Sequence, residues 1–186
     1  MRYIRTFEKF ELNSGIIDAI ENGDIELVKK LIKDGINLNK KYKDGYTALI
    51  MAVTENNIEI VKLLIDAGVN LDKKDEEGFT ALHHAIWNNI EIVKLLINAG
   101  ANLNLKDRNR ETPLMMSLYV NRDPNGNNIE LIRLLLDSGA DINIKNEDNN
   151  HFFVMLNDRD RNEIIRLYPE KYEEYKMKKN AEKYNI

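Results

Sequence analysis

Cysteine is absent from the 186-residue chain, proline occurs three times, tryptophan once and histidine three times. Without cysteine there are no disulfides and no thiolate metal ligands, a composition suited to a reducing cytosol. His83 and His84 are adjacent; on a helix neighbours point about 100° apart and cannot share a metal ion unaided. His151 is far along the chain, so no metal site is expected. Long apolar runs are missing as well, and nothing approaches the roughly 18 residues of a membrane span. The stretch Met1 to Phe10 scatters Arg2, Arg5, Glu8 and Lys9 among apolar residues instead of building the core of a secretory signal. A cytoplasmic location with no membrane partner is expected, with delivery by a machinery that reads no N-terminal apolar signal left open. Basic excess is lacking too: the formal net charge of −4 gives no pull toward nucleic acid.

The usual parts of an enzyme are equally scarce. Ser14, Ser117 and Ser138 are the only serines, and none sits in a nucleophile elbow. No glycine-rich phosphate loop follows a strand-like run. The segment Asn121 to Gly126 has oxygen-bearing residues at alternate positions before a glycine, a faint echo of a calcium loop. It starts with Asn rather than Asp, however, and Ile132 stands where the bidentate glutamate belongs. A solvated turn is the simpler reading. The expectation is a protein with no catalytic residues, no cofactor and no metal.

What the chain has in quantity is repetition. Four segments align: Ile25-Glu26-Leu27-Val28, Ile58-Glu59-Ile60-Val61, Ile90-Glu91-Ile92-Val93 and Ile129-Glu130-Leu131-Ile132, with starts 33, 32 and 39 residues apart. Gly35, Gly68, Gly100 and Gly139 repeat those intervals, and Thr47, Thr80 and Thr112 repeat the first two. The unequal spacings trace to one deletion and one six-residue insertion at the same point of the unit. Length changes collect in loops, so that point is predicted to be a turn between two elements.

The element after the turn reads as a helix. Between Ile58 and Asp66 the polar residues Glu59, Lys62 and Asp66 form one narrow stripe at i, i+3, i+7, and the rest is apolar. Glu91, Lys94 and Asn98 repeat the stripe, as do Glu130, Arg133 and Asp137. A helix apolar over most of its circumference must be covered on more than one side, which a stack of units provides. The glycine series then ends these helices as left-handed caps. The element before the turn starts at Thr47-Ala48-Leu49, Thr80-Ala81-Leu82 and Thr112-Pro113-Leu114, with threonine as N-cap and proline at the first helical position. Between each glycine and the next threonine lie about a dozen polar residues, with Gly45 and Gly78 marking a tight turn. Each unit is therefore helix, turn, helix and an extended polar hairpin.

The stretch from Asp75 through Gly78-Phe79-Thr80-Ala81-Leu82-His83-His84-Ala85, followed by Ile90 to Asn104, resembles the ankyrin repeat: two motif blocks in the right order at the family's roughly 33-residue period. The likeness covers about residues 14 to 168, with units at Ser14–Lys41, Tyr42–Lys74, Asp75–Lys106, Asp107–Lys145 and Asn146–Tyr168. It implies an all-α ankyrin solenoid of stacked helix-turn-helix units with protruding hairpin loops, over residues 1–168. A tail, 169–186, follows, either helical through Pro169 and the Tyr172–Tyr175 pair and packed against the last unit, or partly disordered. The resemblance also implies that His83 helps to hold the threonine turn by hydrogen bonding. Some residues depart from the pattern. Arg110 replaces the hairpin glycine, so distortion of that hairpin is expected. Asn121–Asn127 lengthens one interhelical turn. Asp18 and Glu21 in the first unit, and His151-Phe152-Phe153 with Asp158-Arg159-Asp160-Arg161 in the last, suit terminal units whose outer faces meet water.

The resemblance implies protein binding through the concave face that hairpin tips and first helices form. Tyr46 and Phe79 share one hairpin position, with Glu111 the third in the series, and Trp87 and Tyr119 fall near the ends of first helices. Large aromatics are common interface anchors. Lys41, Lys74, Lys106 and Lys145 recur at equivalent positions beside acidic residues such as Asp44, Glu76, Glu77, Glu147 and Asp148, a mutually neutralising ladder or a strip that selects a charged partner. The candidate partner-binding set is Tyr46, Phe79, Trp87, Tyr119, Lys74, Glu76, Glu77, Lys106, Arg108 and Glu111. The expected function is a monomeric scaffold or adaptor that binds a partner protein. An effector or inhibitor that occludes a host or toxin target is the alternative, and an unrecognised hydrolase a remote one.

Overall fold

The computed structural model describes residues 15–120 and 129–184. The calcium-like segment and the inserted turn lie outside the described residues, as does the N-terminal stretch. Among the described residues there is no β-strand, and one isolated antiparallel bridge joins Lys145 to His151. The chain divides into two compact units, one ending at Asn102 and the other beginning at Leu103.

The first unit holds three helix pairs: α1 (15–21) and α2 (Ile25–Lys33), α3 (Ala48–Thr54) and α4 (Ile58–Asp66), α5 (Ala81–Asn88) and α6 (Ile90–Asn98). Side-chain caps start them. The Thr47 hydroxyl accepts from the Ile50 N–H, and Asp24, Asn57 and Asn89 cap α2, α4 and α6 in the same way. At α5 the cap is reciprocal. Thr80 accepts from the His83 N–H while its own N–H donates to His83 Nδ1 at 3.1 Å, which satisfies two otherwise orphaned amides. The helices then sort into two layers: α3 packs on α5, α4 lies against both α2 and α6, and each of α3 and α5 packs on the second helix of its own pair. Leu49, Leu82, Ile60, Ile92, Leu64 and Leu96 are fully buried between them, each burial stabilising by roughly 1.5–3 kcal/mol. The polar stripes Glu59, Lys62, Asp66 and Glu91, Lys94, Asn98 face solvent. The one-residue deletion also has a structural meaning. The turn after α3 passes through Asn56 in a left-handed conformation (φ 53°), whereas α5 reaches α6 through Asn89 alone.

The second unit contains α7 (Pro113–Met116), α8 (Ile129–Asp137), α9 (Phe152–Met155), α10 (Asp158–Leu167) and α11 (Pro169–Tyr184). α7 packs on α8 and α9, and α10 on α11. Two features differ from the sequence expectation. Arg110 does not distort its hairpin. It adopts φ 60°, and its N–H donates to the Asp107 carbonyl at 3.2 Å, the distance that Gly78 makes to Asp75. The arginine simply bears the left-handed geometry. The polar α10 also does more than face water. From it Arg161 donates to the carbonyls of Phe153 and Leu156 and so closes the C-terminus of the single-turn α9.

The described part of the tail is one continuous helix, α11, keyed to the last repeat by a ring cluster. Tyr175 is buried and lies 5.2 Å from Phe153 and 5.5 Å from His151, and Tyr172 is 5.2 Å from Phe153. At the polar margin Lys145 Nζ donates to Glu182 at 2.7 Å, Asn143 to Glu174, and the Tyr168 hydroxyl to Asp137.

Candidate functional site

The hairpins are built alike. In the first unit Tyr42 N–H donates to the Tyr46 carbonyl at 2.8 Å and Asp75 N–H to the Phe79 carbonyl at 2.9 Å; in the second, Asp107 donates to Glu111 and Asn146 to Asn150. Side chains lock three of the four. Asp75 Oδ1 accepts from the Glu77 and Phe79 amides at 2.9 and 2.8 Å, Asp107 Oδ1 from Glu111, and Asn146 Oδ1 from Asn150. Sequence reasoning missed these residues. They recur at 32 and 39 residues, so the signal was present in the register of the repeat.

The first two hairpins are latched to each other. The Glu76 amide donates to the Asp44 carbonyl at 3.0 Å, and the chain passes so close at Gly45 (φ 77°) that a Cβ there would lie 2.7 Å from the Glu76 nitrogen. Only glycine fits both the left-handed geometry and the contact. The second unit repeats the latch between Glu147 and Asn109.

This latch opens a cleft of about 290 Å³, lined by Asp44, Tyr46, Asp75, Glu76, Glu77, Phe79 and His84. His84 links α5 to this lining. The Nε2–H donates to the buried Asp75 Oδ2 at 2.7 Å, which ties α5 to its hairpin. The imidazole meets Tyr46 and Phe79 edge-on at 5.3 and 5.6 Å. Burial pushes the Tyr46 phenol up, as do the Asp75 and Asp44 carboxylates, while a hydrogen bond with Thr54 pulls the other way. Trp87 follows His84 by three residues on α5, hence on the same helical side, and is 50% exposed.

Four candidate residues, Tyr46, Glu76, Glu77 and Phe79, thus converge on one cleft, while Lys74 and Trp87 are not among its lining. In the second unit Glu111 and Tyr119 come together. The Tyr119 hydroxyl donates to Glu111 Oε1 at 2.7 Å, and burial, followed by that carboxylate, pushes the phenol well above its ordinary range. One interval recurs: Tyr46 and Thr54, Phe79 and Trp87, Glu111 and Tyr119 each pair a hairpin residue with a first-helix residue eight positions on. Arg108 is exposed, whereas Lys106 donates to the Lys145 carbonyl at 3.2 Å, and Lys145 pairs with Glu182. Lys106 and Lys145 of the lysine column are therefore engaged within the fold. Among the described residues no group of three or more His, Cys, Asp or Glu is arranged to hold a metal ion, and no helix is long and apolar enough to cross a membrane.

A family model for ankyrin repeats, in three copies, matches residues 16–107 and again 87–146. Comparison with curated proteins finds no match.

Proposed function

The chain belongs to the ankyrin repeat family, with an all-α helical solenoid fold, and from that premise we propose that it is a scaffold or adaptor. In this reading it binds a partner protein through the face built by its hairpins and first helices. Ankyrin repeats are generally protein–protein interaction modules and typically non-enzymatic. The observation that carries the finer reading is Trp87. The only tryptophan of the chain is left half exposed on a first helix, although Leu82, Ala85 and Ile86 of the same helix already fill the core. A large aromatic side chain held in water on a rigid helix suits an anchor for a partner. Binding without catalysis is the role supported, because the cleft's buried carboxylate and its imidazole hold the hairpin amides and each other. Asp75 is fully occupied by two amides and His84.

A photo-activatable phenylalanine analogue tests the reading directly. At position 87 it is expected to cross-link a discrete partner in a lysate of the source cell. At Glu59, exposed on the second-helix layer, it is expected to give none. Equal cross-linking from both positions contradicts the assignment of the face.

A further inference from the structure

We infer that the cleft between the first two hairpins receives an arginine side chain presented by the partner protein. The inference rests on the proposed interaction role and names the chemistry that the face selects. The cleft combines aromatic rings with carboxylates. Tyr46 and Phe79 both lie against His84, and Asp44, Glu76 and Glu77 are exposed members of the same lining. No lysine or arginine is among the lining residues. Asp75, the one buried carboxylate, is committed to His84 and the hairpin amides. Neither Asp44 nor Glu76 makes a side-chain hydrogen bond or ion pair among the described residues, so a cation entering the cleft displaces no existing partner of theirs.

Size and shape select the occupant. A volume of about 290 Å³ lies at the lower limit of small-molecule pockets and matches a single long side chain. An anionic group would be repelled by the Asp44 and Glu76 carboxylates, and a purely apolar one would gain nothing from them. Among cations, arginine matches best. Its guanidinium is planar, stacks on aromatic faces, is weakly hydrated, and can meet two carboxylates at once through its fork of donors. A cation within about 6 Å of an aromatic centroid gains further attraction from the ring. The cleft is also preorganised, since the Gly45 latch and the Asp75–His84 bond fix both hairpins before any partner arrives.

The test is a titration of the full chain with acetyl-arginine-amide, followed by ¹H–¹⁵N correlation spectroscopy. The acetyl amide of citrulline serves as a neutral isostere. The arginine probe is expected to give saturable shifts centred on the amides of Gly45, Glu76, Glu77 and Gly78, with a dissociation constant on the order of millimolar, as befits one side chain. Citrulline binds at least tenfold more weakly. The double variant Asp44→Asn, Glu76→Gln, chosen because asparagine tolerates the left-handed backbone at position 44 (φ 57°), weakens arginine binding at least fivefold with an unchanged spectrum elsewhere. Glu59→Gln on α4 leaves it unchanged. Shifts that do not saturate, that spread evenly over all acidic surfaces, or that are equal for citrulline overturn the inference. Such a failure alongside a partner still cross-linked from position 87 leaves the interaction role standing and removes only the arginine.

Discussion

At the scale of single residues, the hairpins show how little local sequence is needed once the repeat sets the frame. Position 110 is left-handed in its hairpin as Gly45 and Gly78 are in theirs, and arginine holds it at φ 60° with the hydrogen bonds intact. A non-glycine residue there costs of order 1–3 kcal/mol. Arg110→Gly is therefore expected to stabilise the chain, by about 1 kcal/mol after the extra entropy of unfolded glycine is subtracted. That corresponds to a rise of about 2–4 °C in Tm, and an unchanged or lower Tm contradicts it. The sequence made the threonine caps legible, since a cap acts within its own three residues, and the family resemblance implied the His83 turn. Asp75 was not legible in the same way. Its partners are backbone amides within the turn and an imidazole on the following helix, and an aspartate in a polar hairpin looks like any other solvated charge. The expected distortion at Arg110 failed for a related reason: residue identity signals the cost of a backbone geometry, and neighbouring packing decides whether that cost is borne.

At the scale of elements, the helix periods and the position of the turns were readable because each is written several times over. The tail was readable only as one of two alternatives, packed helix or partial disorder, because it occurs once. Its Tyr172 and Tyr175 spacing suggested a helix, but the rings that receive them, Phe153 and His151, stood at positions read only as departures from the motif. α11 caps the last repeat by burying Tyr175 against them. Tyr175→Ala is expected to destabilise the chain by roughly 3 kcal/mol, within the range for removing a buried aromatic ring, as read by denaturant unfolding. A loss under about 1 kcal/mol contradicts the capping role. The polar margin of the same contact gives a pH test. The Lys145 ammonium holds the Glu182 carboxyl below its ordinary value, so the pair contributes stability above the unfolded glutamate value of about 4.3. That contribution disappears as the pH falls through the lower folded value. The pair is exposed and the effect small. Wild type is expected to melt slightly above Glu182→Gln near neutral pH, and the gap to close as the solution is acidified below the folded value. A gap that widens on acidification contradicts the pairing.

At the scale of the whole molecule, the family and the role it carries were legible from period and motif alone. The nearness of Tyr46 and Phe79 was legible too, because residues equivalent by repeat lie side by side in neighbouring repeats. The cleft was not. It exists because Gly45 lets one hairpin pass within contact distance of the next, and a spacing of 33 residues does not reveal how near two loops approach. The central claim is that this face is kept for a partner and not for the core. Trp87→Ala tests it most directly, with thermal unfolding and capture of the cross-linked partner measured on the same sample. The account predicts a Tm close to wild type, because the side chain is 50% exposed, together with a loss of binding of about 2 kcal/mol or more, roughly thirtyfold. Marked unfolding, with capture falling only in proportion to the folded fraction, would place Trp87 in the core and contradict it.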